Sequence, residues 1–164
     1  MFEFIKNLFT KKTLDSNQEE DYIDLGLSVK WARCNIGADS PYKPGDYYNY
    51  DEIESKYNLP TVDQVKELFE KCKIKYNKKN SGFTVEGPNG NSIFIPIGGE
   101  REGNAHYEGG YFWTCSDDEK GYMQEGYEYY AAIYVVNKAT KKVKMETPLL
   151  RRNGFWINIR EVQR

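Results

Sequence analysis

Apolar and polar residues alternate strictly from Ile23 to Trp31, near the start of the chain. Because successive residues of a strand point to opposite faces of its sheet, this period of two predicts a single half-buried strand. The stretch from Gly37 to Gly45 contains two prolines and two glycines, which end that strand. The aromatic and acidic run at 46–52 then predicts an ordered loop or a short edge strand.

A helix is predicted after Pro60, where the spacing of apolar residues changes. Thr61 is the candidate N-cap, and Gln64, three residues later, completes a capping-box pattern. The apolar residues that follow fall on one helical face and the charged residues on the other. We expect the helix to end near Lys73, before a polar turn at 77–82. The predicted buried face consists of Val62, Val65, Leu68, Phe69 and Cys72.

Short strands joined by turns are predicted from Phe83 onward. Phe83 and Val85 begin one strand, and Asn89–Gly90 suits a type I′ hairpin turn, in which both central residues need a positive φ. The isoleucines at 93–97 alternate in the next strand, where Pro96 predicts an edge position or the strand's end. The later elements are a glycine-rich loop at 98–110, an aromatic strand at 111–115, a polar loop at 117–128, a central strand at 129–136, a turn at 137–142, a paired strand containing Val143 and Met145, and a last strand at 155–162.

One main helix among short strands predicts an α+β fold. The length of 164 residues suits one domain, which we place at residues 22–164. Residues 1–21 form an amphipathic segment and a polar, acidic linker before it.

The segment at residues 1–12 carries apolar residues on one helical stripe and lysines beside it. Such a segment is suited to contact a membrane surface or a partner. The alternatives are a helix folded back onto the domain and a frayed end, since a helix this short is marginal alone. It lacks the features of a signal peptide, which favours a cytoplasmic location. The stripe consists of Phe2, Ile5 and Phe9.

Composition narrows the classes of partner. The net charge of −2 gives no general attraction to nucleic acid or to an anionic membrane. The cysteines Cys34, Cys72 and Cys115 show no C-x-x-C spacing, so no zinc site is predicted. Their odd number indicates a reducing compartment; in an exported chain a Cys34–Cys72 bridge stays open.

Candidate chemistry is sparse. His106 is the only histidine, and no nucleophile shows a sequence signature that would pair with it. The acidic run at 117–119 is typical of a solvated surface rather than of converging calcium ligands. The glycines at 98–103 lack the lysine and the following helix of a phosphate-binding loop. We therefore predict no catalytic residue, no metal and no cofactor.

The chain contains, in this order, the blocks YIDLGLSVKWARCNIGA at 22–38, GDYY at 45–48, LPT at 59–61, GPNGNSIFIP at 87–96 and GYFWTCS at 110–116. Taken together, these blocks resemble the Fibrobacter major paralogous domain, a family widespread in Bacteroides-type bacteria. The resemblance covers about residues 22–116 and extends more loosely to the C-terminus, where 151–160 partly matches the ending R-x-G-F-x-V-R. Trp113-Thr114-Cys115-Ser116 stands where the family usually has Trp-Ser-Ser.

The resemblance implies a C-type-lectin-like fold, with one main helix packed on small antiparallel sheets and long loops on one face. Members are typically exported or surface-anchored, in contrast with the missing signal peptide here. Formylglycine-generating enzymes share the fold, but they need paired cysteines near the C-terminus, and this chain has only Cys115 in that half. The Glu-Pro-Asn and Trp-Asn-Asp motifs of calcium-dependent lectins are also missing.

The resemblance also implies a binding face near the C-terminus, because related lectin folds diversify that face. We define the C-terminal loop face as the loop at 117–128, the strand start at 127–130 and the turn at 151–153. A non-catalytic module that binds a protein or glycan there is the first hypothesis. The alternatives are an assembly role for residues 1–12, an inert sheet edge at this face and, last, an oxidase of the formylglycine-generating type. The predicted contact residues are Tyr122, Tyr127, Tyr129, Arg151, Arg152 and Asn153.

Overall fold

The computed structural model describes residues 21–53, 56–102, 105–107, 110–115, 132–137, 142–146 and 155–164. This part of the chain contains two helices, α1 (Tyr50–Ile53) and α2 (Val62–Lys71). Its strands are β1 (Tyr22–Ile23), β2 (Lys30–Ala32), β3 (Lys73–Asn77), β4 (Gly82–Glu86), β5 (Ser92–Pro96), β6 (Glu100–Glu102), β7 (Ala105–Tyr107), β8 (Gly110–Phe112), β9 (Ala132–Asn137), β10 (Lys142–Glu146) and β11 (Val162–Gln163).

The strands pair into small antiparallel sheets. The first sheet has the order β1–β2–β11, the second β3–β4–β5 and the third β10–β9–β8, while β6 and β7 form a hairpin. The fold is therefore mixed α+β, as the sequence pattern predicts. No helix in the described ranges is long and apolar enough to cross a bilayer.

The alternating segment at 23–31 is not one strand, so that prediction is wrong. The chain turns between β1 and β2, which pair with each other through Ile23 opposite Trp31. The Asp24 carboxylate accepts a hydrogen bond from the Gly26 amide at 2.7 Å, and Gly26 has a φ of 75°. Its apolar residues still face the core: Leu25 and Trp31 are fully buried. The period of two thus correctly predicts which side chains are buried, while Gly26 allows the chain to reverse direction.

Helix α2 begins as predicted. The Thr61 hydroxyl accepts a hydrogen bond from the Gln64 amide at 3.1 Å, and the Gln64 side chain accepts one from the Thr61 amide at 2.9 Å. These two bonds satisfy amides that have no partner within the helix, and they confirm the capping box. Val65 and Leu68 are fully buried. They pack against Phe83, Val85, Ile93 and Ile95 of the second sheet.

Strand β3 was missed by the sequence pattern, which placed only a turn between the helix and Phe83. The helix ends at Lys71, and β3 runs from Lys73 to Asn77 along β4. The alternation of lysines with Ile74 and Tyr76 is too short to separate from a fraying helix end by periodicity alone. Cys72 between the two elements is half-buried against the core, which fits its predicted place on the apolar helix face.

The turn between β4 and β5 is not type I′. Gly90 has a φ of 88°, and Asn89 does not have a positive φ. The Gly90 amide donates to the Gly87 carbonyl at 3.0 Å, so Pro88 and Asn89 take the central positions. This is the pattern of a longer hairpin loop that ends in one left-handed residue. The Asn89 and Asn91 side-chain amides both donate to the Asp24 carbonyl at 2.9 Å, which ties this loop to the turn after β1.

Pro96 lies where the sequence predicts it, at the last position of an edge strand. Strand β5 pairs only with β4 in the second sheet. Backbone hydrogen bonds lie just beyond both ends of the β4–β5 ladder. One runs from the Gly87 amide to the Asn91 carbonyl and the other from the Ile97 amide to the Ser81 carbonyl. Because hydrogen-bonded and non-hydrogen-bonded pairs alternate along an antiparallel ladder, the backbone polar groups of Phe94 and Pro96 point away from β4. The missing amide of Pro96 therefore leaves the ladder intact.

Three further predictions change in detail. The run at 46–52 supplies a bridge between Tyr48 and Ile157 and the start of α1, rather than only a loop or an edge strand. The loop predicted at 98–110 contains the β6–β7 hairpin. The last strand predicted at 155–162 is irregular, with bridges at Ile157 and Asn158, and only β11 is regular. In this segment the buried side chains of Asn158 and Arg160 donate to the Asp46 and Ala32 carbonyls.

The third sheet agrees with the sequence. Strand β9 is its central strand, and β10, which contains Val143 and Met145, pairs along it. Strand β8 covers the first half of the predicted aromatic strand, which then continues as an extended segment to a bridge at Cys115.

Two buried clusters hold the described part together. The larger one lies between α2 and the second sheet and includes Trp31, Phe112 and Val162. The smaller one surrounds Trp113 and includes residues of α1 and of the C-terminal segment: Tyr50, Ile53, Leu59, Ile157 and Ile159. Because residues 155–164 contribute to both, this segment joins the two clusters.

We expect Gly87→Ala to lower the free energy of unfolding by about 2–3 kcal/mol. A Cβ at Gly87 would lie 2.1 Å from the Leu25 carbonyl oxygen, so backbone would have to shift. Gly90→Ala is the matched control, because nothing lies within 4 Å of a Cβ there. It should cost only about 1 kcal/mol, from the left-handed backbone. Urea denaturation of both variants tests this, and equal losses would contradict it.

The free energy of unfolding should fall on acidification, in part because the Glu67 carboxylate becomes protonated. Its carboxylate accepts hydrogen bonds from the amide and hydroxyl of Ser28 and pairs with Lys71 Nζ at 2.8 Å. Partial burial favours the neutral acid, but the bonds from Lys71 and Ser28 outweigh it and hold the pKa of Glu67 below its ordinary value. A lowered folded-state pKa gives stability at neutral pH that is lost as the pH falls through that pKa.

The measurement compares urea denaturation of the wild type and Glu67→Gln at about pH 6 and pH 3. We expect the variant to be less stable at the higher pH and to lose less stability on acidification. Glu70→Gln removes an exposed carboxylate from the same helix and serves as the control. If Glu67→Gln lost as much stability on acidification as the wild type does, these bonds would not stabilise the fold.

Candidate functional site

The predicted C-terminal loop face lies on residues that the structure does not describe. This holds for all six predicted contact residues, Tyr122, Tyr127, Tyr129, Arg151, Arg152 and Asn153. The face belongs to two chain segments, residues 116–131 and 147–154, and the structure describes the residues at both ends of each segment. Their positions show which ends of the segments the fold brings together.

The register of the third sheet places these ends side by side. Phe112, the last residue of β8, lies opposite Ala132, the first residue of β9. Glu146, the last residue of β10, lies opposite Ile133. Residues 116–131 and residues 147–154 are thus connected to the same end of one sheet. Two segments separated by strands β9 and β10 therefore start or finish at a common end of the sheet.

The first segment leaves from a fixed point at Cys115. Its amide donates to the Pro60 carbonyl at 2.9 Å, and its thiol donates to the Leu59 carbonyl at 3.3 Å. It also forms a parallel bridge with Thr61, the N-cap of α2. Cys115 is half-buried there, where the sequence predicted a buried strand residue. The three cysteines are free thiols, so no Cys34–Cys72 bridge is present.

The second segment returns to the fold at Ile157 and Asn158. Tyr48 and Ile157 exchange backbone hydrogen bonds of 3.0 Å in both directions. The Asn158 side chain, only 1 % exposed, donates to the Asp46 carbonyl at 3.0 Å. The Asn158 carbonyl accepts from the Trp113 amide at 3.1 Å. The chain on both sides of the predicted face is therefore bound to the same framework.

Arg160 fixes this framework from the inside. Its side chain is fully buried. The guanidinium donates to the Asn35 side chain at 2.7 Å and to the Ala32, Arg33 and Phe94 carbonyls at 2.9, 3.1 and 3.1 Å. These bonds join the C-terminal segment to the first sheet, to the loop after it and to the edge of β5. Buried charges persist only with such hydrogen bonds.

Trp113 lies two residues before Cys115, where the first segment begins. It is fully buried, and its indole nitrogen donates to the Tyr48 carbonyl at 2.7 Å. Its ring meets Tyr50 edge-on, with centroids 5.4 Å apart. This packing connects α1 to the C-terminal segment through one side chain.

Tyr48 is held in its protonated state. Burial of the phenol and its hydrogen bond with Tyr57 raise the pKa of Tyr48 to about 12. The two rings lie 5.8 Å apart. At neutral pH the phenol stays neutral, so its contribution is packing and hydrogen bonding.

Other residues that the sequence singled out are placed apart from this framework or outside the described ranges. His106 lies in β7, opposite Arg101 of β6. The acidic run at 117–119 lies outside the described residues. Within the described ranges, no three His, Cys, Asp or Glu side chains converge as a metal site would require.

Asn158 and Arg160 are the positioning residues that sequence reasoning missed. Both fall in a segment whose pattern indicates a strand, and nothing in their spacing distinguishes a buried amide or guanidinium from an exposed one. The partial match of 151–160 to R-x-G-F-x-V-R does not single out Arg160: with Gly154 and Phe155 aligned, the final arginine of the motif falls at Asn158, two residues before the buried Arg160.

Comparison with known proteins provides no relative from which a role could be transferred. Neither a protein-family model, nor a curated protein, nor a solved structure matches this chain significantly. The assignment of function therefore depends on the chain's own residues and contacts.

Proposed function

We propose that this chain is a non-catalytic recognition module with a C-type-lectin-like fold, of the kind found in the major paralogous domain family. It binds a protein or a glycan through the C-terminal loop face. The observation that carries the proposal is the register of the third sheet, which connects residues 116–131 and 147–154 to one end of that sheet. Binding residues commonly lie on segments that a rigid scaffold positions.

The bonds around these ends support a preorganised face. Cys115 is tied to the start of α2, and Ile157 to Tyr48, by backbone hydrogen bonds. Asn158 and Arg160 hold the returning chain through buried side-chain bonds. A framework fixed before binding lowers the entropy cost of association. Such a framework suits binding by shape better than binding by folding around a partner.

The residue types of the face suit recognition without a cofactor. Tyrosine and arginine are enriched among the residues that dominate binding energy at interfaces. Tyrosine gives contact area with a polar tip, and asparagine both donates and accepts hydrogen bonds. The mechanism is therefore shape and hydrogen-bond complementarity. The residues proposed to make contact are Tyr122, Tyr127, Tyr129, Arg151, Arg152 and Asn153.

The test is capture of a partner by the immobilised chain, from native lysate or on a glycan array. We expect the double variant Tyr127→Ala/Arg152→Ala to bind at least about thirtyfold more weakly, because even one such side chain contributes about 2 kcal/mol and every 1.4 kcal/mol is tenfold in affinity. Its midpoint of thermal unfolding should stay at the wild-type value. Lys66→Ala is the control, since Lys66 is an exposed cation on helix α2. Equal capture by both variants would reject this face.

The two alternative roles stay predictions. The assembly role of residues 1–12 concerns residues outside the described ones. An oxidase of the formylglycine-generating type needs a second thiol beside Cys115, and the half of the sequence that contains Cys115 has no other cysteine. The Cys115 thiol is also engaged by the Leu59 carbonyl.

A further inference from the structure

A groove lies on the face of the second sheet that points away from α2. The alternation that buries Phe83 and Val85 against α2 puts Thr84 on this other face. Asn77 of β3, Thr84 of β4 and Phe94 of β5 line the groove, which therefore crosses three adjacent strands. Neighbouring strands lie about 4.8 Å apart, so the groove extends about 10 Å across the sheet. Its volume of about 280 Å³ suits a few side chains rather than a whole helix.

An exposed aromatic ring forms one side of the groove. Tyr42 is 54 % exposed, the one large hydrophobic residue so exposed within the described ranges. Its ring meets the buried Phe94 edge-on, with centroids 4.9 Å apart and an interplanar angle of 61°. Pro41 lines the groove beside it, and the Lys43–Asp39 ion pair at 2.8 Å braces the same loop. The sheet therefore holds the ring in place while its surface stays open to an apolar partner.

The groove lies next to the point where residues 1–20 join the fold. The described chain begins at Asp21, whose carbonyl accepts a hydrogen bond from the Arg33 amide at 2.8 Å. Ile23 and Arg33 both line the groove. The N-terminal segment is therefore tethered at one border of the groove, where β1 pairs with β2.

The apolar stripe of residues 1–12 matches the groove in chemistry and in length. In the helix that its pattern predicts, the distance along the axis from Phe2 to Phe9 is about 10 Å, at a rise of 1.5 Å per residue. This equals the extent of the groove across the sheet. Burying Phe2, Ile5 and Phe9 together with the ring of Tyr42 removes apolar surface on both sides from water.

The polar linker at 13–20 is long enough to bring the stripe onto the groove. A flexible chain of this length spans about 15 Å on average. Such a tether gives a local concentration of the order of 1 mM. A contact with an intrinsic dissociation constant of about 1 mM is therefore formed in about half of the molecules at any time.

We propose that residues 1–12 dock into this groove of the same chain. The side chains of Phe2, Ile5 and Phe9 pack on Tyr42 and Phe94, and residues 13–20 form the connection. Any contact of the stripe with a membrane or a partner then requires its release from the groove. The groove shares no residue with the C-terminal loop face, so the inference goes beyond the function proposed above.

The first test compares amide NMR spectra of the isotope-labelled full chain with and without the stripe. In the variant Phe2→Ser/Ile5→Ser/Phe9→Ser we expect shifts at the groove residues 23, 42, 84 and 92–94, because the side chains that cover them are lost. Asn7→Ala/Lys11→Gln changes the opposite side of the same predicted helix and is the matched control, whose shifts should stay within residues 1–20. The wild-type spectrum should not change on dilution, because docking within one chain is independent of concentration.

The second test is the rate of trypsin cleavage within residues 1–12 of the full chain. Tyr42→Ala removes the ring on which the stripe packs, so this cleavage should become at least about threefold faster, since proteolysis follows the population of the open segment. Tyr42→Phe keeps the ring and should keep the wild-type rate. Cleavage after Lys78, an exposed lysine between β3 and β4, should be the same in all three proteins and controls for general destabilisation.

Four outcomes would overturn the proposal. These are a stripe variant without groove shifts, groove shifts of equal size in the control variant, groove signals that change on dilution, and equal trypsin rates in the wild type and Tyr42→Ala. A change on dilution would assign the contact to a second copy of the chain. Tyr127→Ala/Arg152→Ala should behave as the wild type in both tests, whereas faster cleavage in that variant would place the segment on the C-terminal loop face and reject the groove.

Discussion

Arg160→Ala should lower the free energy of unfolding by about 3–5 kcal/mol. The substitution removes a fully buried guanidinium that donates four hydrogen bonds. Their acceptors, at residues 32–35 and at Phe94, would then lose this partner and be left buried or admit water. The measurement is urea denaturation followed by tryptophan fluorescence.

Two further variants keep this prediction testable if Arg160→Ala does not fold. Arg160→Lys retains the charge but loses the planar fork, so it should cost about 2 kcal/mol and remain folded. Arg164→Ala removes an exposed arginine and should change the stability by less than about 0.5 kcal/mol. A loss below about 1 kcal/mol in Arg160→Ala would show that the guanidinium does not hold the C-terminal segment.

Trp113→Ala should cost about 4 kcal/mol, mostly from the cavity in the smaller buried cluster. Trp113→Phe keeps part of the ring and loses the hydrogen bond to the Tyr48 carbonyl, 2.7 Å long. Trp31→Phe is the matched control, because Trp31 is equally buried and its indole nitrogen has no hydrogen-bond partner in the described part of the chain. We expect Trp113→Phe to cost about 1–2 kcal/mol more than Trp31→Phe.

Denaturation of the three variants under one condition gives these differences directly. Because the indole-to-phenyl change is common to both phenylalanine variants, the excess at Trp113 reports the bond to Tyr48. Equal losses would mean that the bond adds nothing beyond packing.

Local rules in the sequence are enough to predict helix α2. Its N-cap, its capping box and its apolar face all depend on residues a few positions apart. The structure confirms the cap and the box, and it packs every predicted apolar position except Val62 into the core. The central position of β9 and the edge position of Pro96 also follow from composition within a short window. These features need no knowledge of what packs against them.

The segment at 23–31 shows where such rules end. Its alternation correctly predicts which side chains are buried, yet the chain reverses at Gly26. The reversal is held by Asn89 and Asn91, which donate to the Asp24 carbonyl from a loop far along the sequence. A tertiary contact of this kind leaves no mark on the local pattern.

The candidate functional site also depends on tertiary contacts that the local sequence does not predict. The framework around Cys115, Asn158 and Arg160 depends on bonds between distant residues, so spacing in the sequence could not reveal it. The contact residues of the C-terminal loop face stay predictions, since they lie outside the described residues.

The first sheet joins residues from near both ends of the described ranges, with Ile23 and Val162 lying opposite the same residue, Trp31. During synthesis on the ribosome, β1 and β2 emerge early but lack their third strand until residue 162 has left the exit tunnel. The buried Ile157, Ile159 and Arg160 arrive equally late. Closure at such long sequence separation slows folding. A nascent chain stalled before residue 155 would therefore expose much of its core, and exposed apolar surface of this kind is prone to aggregation.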